Sequence, residues 1–129
     1  MKLDHVALQV ADMDRALEFY VGALGMKLIS RQVNEAHREE YVFLELDGGR
    51  VELIRHIGGS LPARSLTPPY CPHLALTTED MEASLSLIRE RGLPLLAGPF
   101  EIAGEERWVY THDPDHNVIE FMQWLRVDS

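Results

Sequence analysis

The chain contains a copy of itself, and that copy limits what it can fold into. A shift of residues 3–56 by 68 positions, with no gap, lays His5 on His73, Ala7 on Ala75, Leu8 on Leu76, Asp12 on Asp80, Met13 on Met81, Leu17 on Leu85, Leu28 on Leu96, Asp47 on Asp115 and Glu52 on Glu120. Random pairing of ordinary composition gives about three matches; nine require two copies of one structural unit.

The elements of each copy follow from periodicity. In LDHVALQV (3–10), Val6, Leu8 and Val10 alternate on one face of a strand while Leu3, His5, Ala7 and Gln9 take the other. Asp12 is placed to cap a helix over 12–23, whose stripe is Met13, Ala16, Leu17, Tyr20 and Leu24. MKLIS (26–30) predicts a short strand, RQVNEAHREE a polar connection, and YVFLEL (41–46) and RVELIRH (50–56) a hairpin about Asp47-Gly48-Gly49. Residues 57–72, rich in Gly, Pro and Ser, read as a linker. The pattern restarts with a strand at 72–78 and a helix over 79–92, with Met81, Leu85 and Ile88 inward and Gly92 as its stop. Strands at 93–97, 107–113 and 118–124 follow, the last two joined by the DPDHN turn. The expectation is an α+β fold of two tandem βαβββ modules, a single domain over 1–129 with module one at 1–56 and module two at 72–126.

One His and one Glu sit inside apolar strands at the same point of each copy. Alternation sets His5 opposite Val6 and Leu8, Glu52 opposite Val51 and Leu53, His73 opposite Leu74 and Leu76, and Glu120 opposite Ile119 and Phe121. Each module therefore carries one imidazole and one carboxylate on the sheet face that its helix leaves uncovered. The pair converges if the first and fourth strands are neighbours. Two imidazoles and two carboxylates suit a divalent ion such as Zn, Ni, Co, Mn or Fe, whose charge balances Glu52 and Glu120. Four protein ligands in an octahedral shell leave two positions for water or substrate oxygens. Ala7 and Ala75, beside the histidines, leave room for a ligand.

Composition excludes other classes. A net charge of −9 opposes nucleic acid as a partner. The longest apolar run falls short of the ~20 residues of a membrane span. One cysteine, Cys71, suits a reducing cytosol and a cytoplasmic location, and the opening MKLDHVALQV lacks a signal peptide's apolar stretch.

The ordered His5, Glu52, His73 and Glu120, the segment DMDRALEFYVGALGMKL and the ending DPDHNVIEF together resemble the vicinal oxygen chelate superfamily, with DPDHN in the place of its common Asp-Pro-Asp-Gly-Asn turn. That superfamily includes lactoylglutathione lyase (glyoxalase I), methylmalonyl-CoA epimerase, extradiol dioxygenases, and fosfomycin- and bleomycin-resistance proteins. The resemblance implies two modules curled around a cup, a divalent metal held by His5, Glu52, His73 and Glu120, and a homodimer acting on a small molecule. The His, Glu, His, Glu order is that of glyoxalase I. It implies a lyase or isomerase in which Glu120 takes a carbon-bound proton, the metal holds the resulting enediolate, and Glu52 is the opposite acid–base partner. Dioxygenases use the subset matching His5, His73 and Glu120. Epimerases usually have Gln at the position of Glu52 and a further carboxylate base, for which Glu45 lies nearby. A metal-poor binding or resistance protein is the alternative outside catalysis.

Other residues have plainer readings. His37, His112 and His116 fall in loops or turns and read as surface, His56 as a candidate for the pocket mouth, and Cys71 as an inert thiol. Trp108, Tyr110, Met122 and Trp124 are candidates for a substrate wall, with core or dimer contact as the competing role. Arg31, Arg38, Arg50, Arg55, Arg64 and Arg107 form no pattern that marks a thiol cofactor's carboxylates.

Overall fold

A computed structural model describes residues 1–126, which divide after Ala63 into two compact units. In the first, β1 (Val6–Gln9) leads into α1 (Met13–Leu17), a π-helical continuation over Glu18–Ala23, and strands β2 (Lys27–Asn34), β3 (Glu39–Leu46) and β4 (Gly49–His56). In the second, β5 (His73–Thr77), α2 (Met81–Glu90), β6 (Ala97–Ile102), β7 (Glu106–His112) and β8 (Val118–Trp124) repeat the order. The sheets run β1-β4-β3-β2 and β5-β8-β7-β6. The architecture is the α+β pair of tandem βαβββ modules. Among the described residues no helix is long and apolar enough to cross a membrane.

The first strand of each unit runs parallel to the fourth, in matching register: Ala7 lies beside Glu52 and Ala75 beside Glu120. The helix caps repeat as well. The Asp12 carboxylate accepts from Arg15 N–H and the Asp80 carboxylate from Ala83 N–H, each meeting one of the orphan donors of a first turn. Val42, Leu44, Val51 and Leu53 are buried with Met13, Ala16 and Tyr20 in unit one; Val109, Ile119 and Phe121 are buried with Met81 and Ile88 in unit two. Burying side chains of this size contributes about 1.5–3 kcal/mol each. It also commits one face of every central strand to the core, so the His and Glu side chains are left on the other.

Three elements differ from expectation. The helical stripe of unit one buries Phe19 and leaves Leu17 and Leu24 half-buried. Beyond Leu17 the π-helical turn, in which Leu24 N–H reaches back five residues to the Phe19 carbonyl, shifts the helix phase. The polar run 31–40 is mostly strand: Arg31 to Asn34 pair with Val42 to Glu39, and the connection shrinks to a turn in which His37 N–H donates to the Asn34 side chain and Arg38 adopts φ 54°. Backbone pairing sustains this edge strand, which apolar alternation does not mark. The strand expected at 93–97 instead begins at Ala97 and runs to Ile102, with Gly98 (φ 97°) and Pro99 in a bulge between Ala97 and Phe100. β6 is an edge strand, where a residue without an N–H is tolerated.

Candidate functional site

Parallel pairing of β1 with β4 brings together residues far apart in sequence. His5 Nε2 lies 3.2 Å from Glu52 Oε1. In unit two the same pairing sets His73 Nε2 at 2.9 Å from Glu120 Oε1. Glu120 is buried and Glu52 half-buried. The four candidate ligands therefore stand as one pair in each unit; among the described residues no group of three or more such donors is assembled.

The other ring nitrogen is engaged in both cases. His5 Nδ1 is 2.7 Å from the Asp4 carboxylate, and His73 Nδ1 is 3.1 Å from the Tyr70 carbonyl. Both partners are acceptors only, and so is the glutamate carboxylate on Nε2, so each ring nitrogen faces an acceptor. A neutral imidazole has one N–H for these two contacts, so in each unit one of them sets two acceptors together and needs a cation between them. A proton can supply it; so can a metal ion. Metal-binding histidines characteristically donate their second nitrogen to a carboxylate or backbone carbonyl, which is the arrangement in both units. The donor set and its surroundings thus fit a divalent ion.

Charge follows geometry. The hydrogen bond to Asp4 raises the His5 imidazole above its ordinary value, against the opposing effect of burial, and lowers the Asp4 carboxyl. An open cavity of about 370 Å³ adjoins Asp4, with Lys2, Glu45 and Arg50 in its wall.

Each pair has an aromatic neighbour. Phe43 pairs with Glu52 across β3–β4 and meets the His5 ring edge-on at 5.2 Å. Tyr110 pairs with Glu120 across β7–β8 and meets the His73 ring edge-on at 5.5 Å, and the Tyr110 and Tyr70 rings lie 4.9 Å apart. Burial first, and then the Glu120 charge, push the Tyr110 phenol above its ordinary value. Phe43 was missed from the sequence because these positions are 67 apart, not 68. Two aromatics one residue out of phase were the available signal. Register extends the Glu120 face away from His73, through Trp108 and Met122 in one row, with Phe100, and Trp124 and Ile102 in the next. Phe100, Ile102 and Trp124 are exposed there.

The remaining candidates lie elsewhere. His37, His56 and His116 are exposed; His112 is half-buried, its ring 4.7 Å from that of His116. His116 adopts φ 65° in the DPDHN turn, whose hub is the buried Asp113 carboxylate, which accepts from the N–H groups of Asp115 and Asn117 and from the Asn117 side chain. Cys71 is exposed, its Sγ 3.8 Å from His73 Nδ1. Arg31 and Arg55 bind Glu40, Arg64 binds Asn117, and Arg107 binds Glu82 and Glu101.

Residues 2–121 match the family model of the Glyoxalase/Bleomycin resistance protein/Dioxygenase superfamily. The chain belongs to that superfamily. A lactoylglutathione lyase of Haemophilus influenzae is 28% identical over 129 residues, covering 95% of this chain and 93% of that one. The trypanothione-dependent glyoxalase I of Leishmania major has a similar structure (TM-score 0.75, 24% identity, 95% of this chain and 86% of that one). So does TnmS3, an antibiotic-binding protein from Streptomyces sp. CB03234 (TM-score 0.74, 24% identity, 96% of both chains). The two structural likenesses establish the fold, which hosts an enzyme in one case and a binder in the other.

Proposed function

We propose that the chain is a metal-dependent lyase or isomerase of the glyoxalase I type. The observation that carries this is the twice-built pair, His5 with Glu52 and His73 with Glu120, each imidazole held through Nδ1 and turned through Nε2 onto a carboxylate. The two pairs are the ligand halves for one divalent ion, Ni, Co, Zn, Mn or Fe, drawn from one chain or from two chains of a homodimer. Bound there, the ion supplies Lewis acidity and lowers the pKa of a group on the substrate. Glu120 is the base that removes a carbon-bound proton, a role that needs a carboxylate within reach of the substrate. Glu52 is the acid–base partner on the opposite side. The lactoylglutathione lyase relatives support the same reading, with a small oxygen-bearing substrate.

A second reading, capture of a small molecule without metal, draws on the aromatic row that continues the Glu120 face through Trp108, Phe100 and Trp124. Elemental analysis of purified, untagged protein, before and after addition of Ni, Co, Zn, Mn and Fe(II), separates the two. About one metal per chain, with proton exchange or isomerisation of a 2-oxoaldehyde–thiol adduct in the loaded protein, is the expected result. Protein that takes up no metal under any of these conditions refutes the enzyme reading and leaves the binder.

A further inference from the structure

The two pairs are built alike except behind the histidine. In unit two the group on Nδ1 is a neutral main-chain carbonyl, that of Tyr70. In unit one it is a full carboxylate, that of Asp4, and the contact is shorter, 2.7 Å against 3.1 Å. The Asp4 side chain is 75% exposed, so it supports no core packing. An exposed ion pair between chain neighbours contributes little to folding. What the contact does is local. It holds the His5 ring so that Nε2 faces Glu52, and places a third carboxylate within one imidazole of the candidate metal position.

We infer that Asp4 is a positioning residue for metal binding, acting through His5 and making the unit-one histidine the more strongly donating of the two. This rests on the metal-dependent reading above. An imidazole whose N–H is donated to a carboxylate is a more basic ligand than one donating to an amide carbonyl, and loss of such an outer partner typically lowers metal affinity 10–100-fold. The hydrogen bond and the negative charge separate by substitution. Asp4→Asn retains an oxygen able to accept from Nδ1–H and loses the charge. Asp4→Ala loses both.

The test is calorimetric titration of metal-free protein with Ni(II), in wild type, Asp4→Asn and Asp4→Ala, beside thermal melts of the same metal-free samples. The expected result is a graded loss of affinity, with Asp4→Ala weaker by about 10–100-fold, Asp4→Asn between it and wild type, and melting temperatures unchanged. The unchanged melts distinguish positioning from a structural role, because a folding defect lowers melting temperature and affinity together. Ni(II) affinity in Asp4→Ala equal to wild type overturns the inference and leaves the metal reading standing. So does a loss of affinity matched by a fall in melting temperature. Wild type that binds neither Ni(II) nor, in the same titration, Co, Zn, Mn or Fe(II) overturns both.

Discussion

Replacement of Glu120 by glutamine produces opposite effects in the absence and presence of metal. In the metal-free protein Nδ1 of His73 faces the Tyr70 carbonyl at 3.1 Å and Nε2 faces Glu120 Oε1 at 2.9 Å, so a neutral ring, with one N–H, leaves one of the two contacts without a hydrogen unless a cation intervenes. Glutamine has the same shape and carries an N–H for that position. Glu120→Gln turns a contact between two acceptors, on a buried side chain, into a neutral hydrogen bond. A net intramolecular hydrogen bond contributes about 0.5–1.5 kcal/mol. For a chain of this size, 1 kcal/mol is roughly 3–5 °C in melting temperature. Metal-free Glu120→Gln should therefore melt a few degrees above metal-free wild type at pH 8. Saturating metal reverses the order. At one hundred times its dissociation constant a ligand stabilises the folded state by about 2.7 kcal/mol, and the variant, short of one anionic ligand, forgoes most of that gain. The assay is a pair of melting curves for each protein, one with chelator and one with Ni(II). A variant that is less stable than wild type in chelator refutes the hydrogen-bond accounting; a variant with the full Ni(II) shift refutes Glu120 as a ligand.

Removing a whole side chain from either pair, as in His5→Ala or His73→Ala, should abolish most metal uptake in equilibrium dialysis, and either variant keeping wild-type stoichiometry excludes that histidine. Glu40 is buried and takes a hydrogen bond from Arg31 at 2.8 Å and another from Arg55 at 3.0 Å. Glu40→Gln should cost about 1–3 kcal/mol in urea denaturation at pH 7, less than for a fully buried pair because both arginines can turn to solvent. Burial alone would raise the Glu40 carboxyl, but the two arginines outweigh it and hold it below 4.5. Its contribution is thus complete above about pH 4.5 and is lost as pH falls through the lower folded value, so the gap between wild type and Glu40→Gln should narrow below pH 4; a constant gap there contradicts the assignment. Gly98 sits at φ 97° with the Trp108 carbonyl 3.1 Å from where a Cβ would lie, and Gly98→Ala should destabilise by about 1–3 kcal/mol in the same assay, a neutral result arguing against the bulge.

Much of this architecture is legible without coordinates, and the exceptions have identifiable causes. Asp12 was readable as a cap because a short oxygen-bearing side chain before an apolar stripe has few other uses, and the structure gives Asp80 the same role at the shifted position. The last strand, Val118–Trp124, was readable because a largely apolar run follows a turn signal, and its first four residues are all buried. β2 failed on both counts: it is an edge, largely exposed on both faces, and its mostly polar residues 31–34 are strand only because β3 pairs with them. The phase of α1 failed because a π-helical turn departs from the 3.6-residue period that a stripe assumes.

The amino-acid sequence by itself determined that there are two modules, and that His5, Glu52, His73 and Glu120 share the faces the helices leave bare. Both follow from local periodicity and one repeated offset. Tertiary structure decided which strands are neighbours, and so placed His5 3.2 Å from Glu52 across 47 residues of chain. It also seated Phe43 and Tyr110 on the two histidines. The β7–β8 hairpin spans one residue more than β3–β4 between equivalent pairs, so Glu52 meets a residue nine positions back and Glu120 one ten back. An ungapped comparison carries no term for that difference, because register is set by the length of the turn that closes the hairpin.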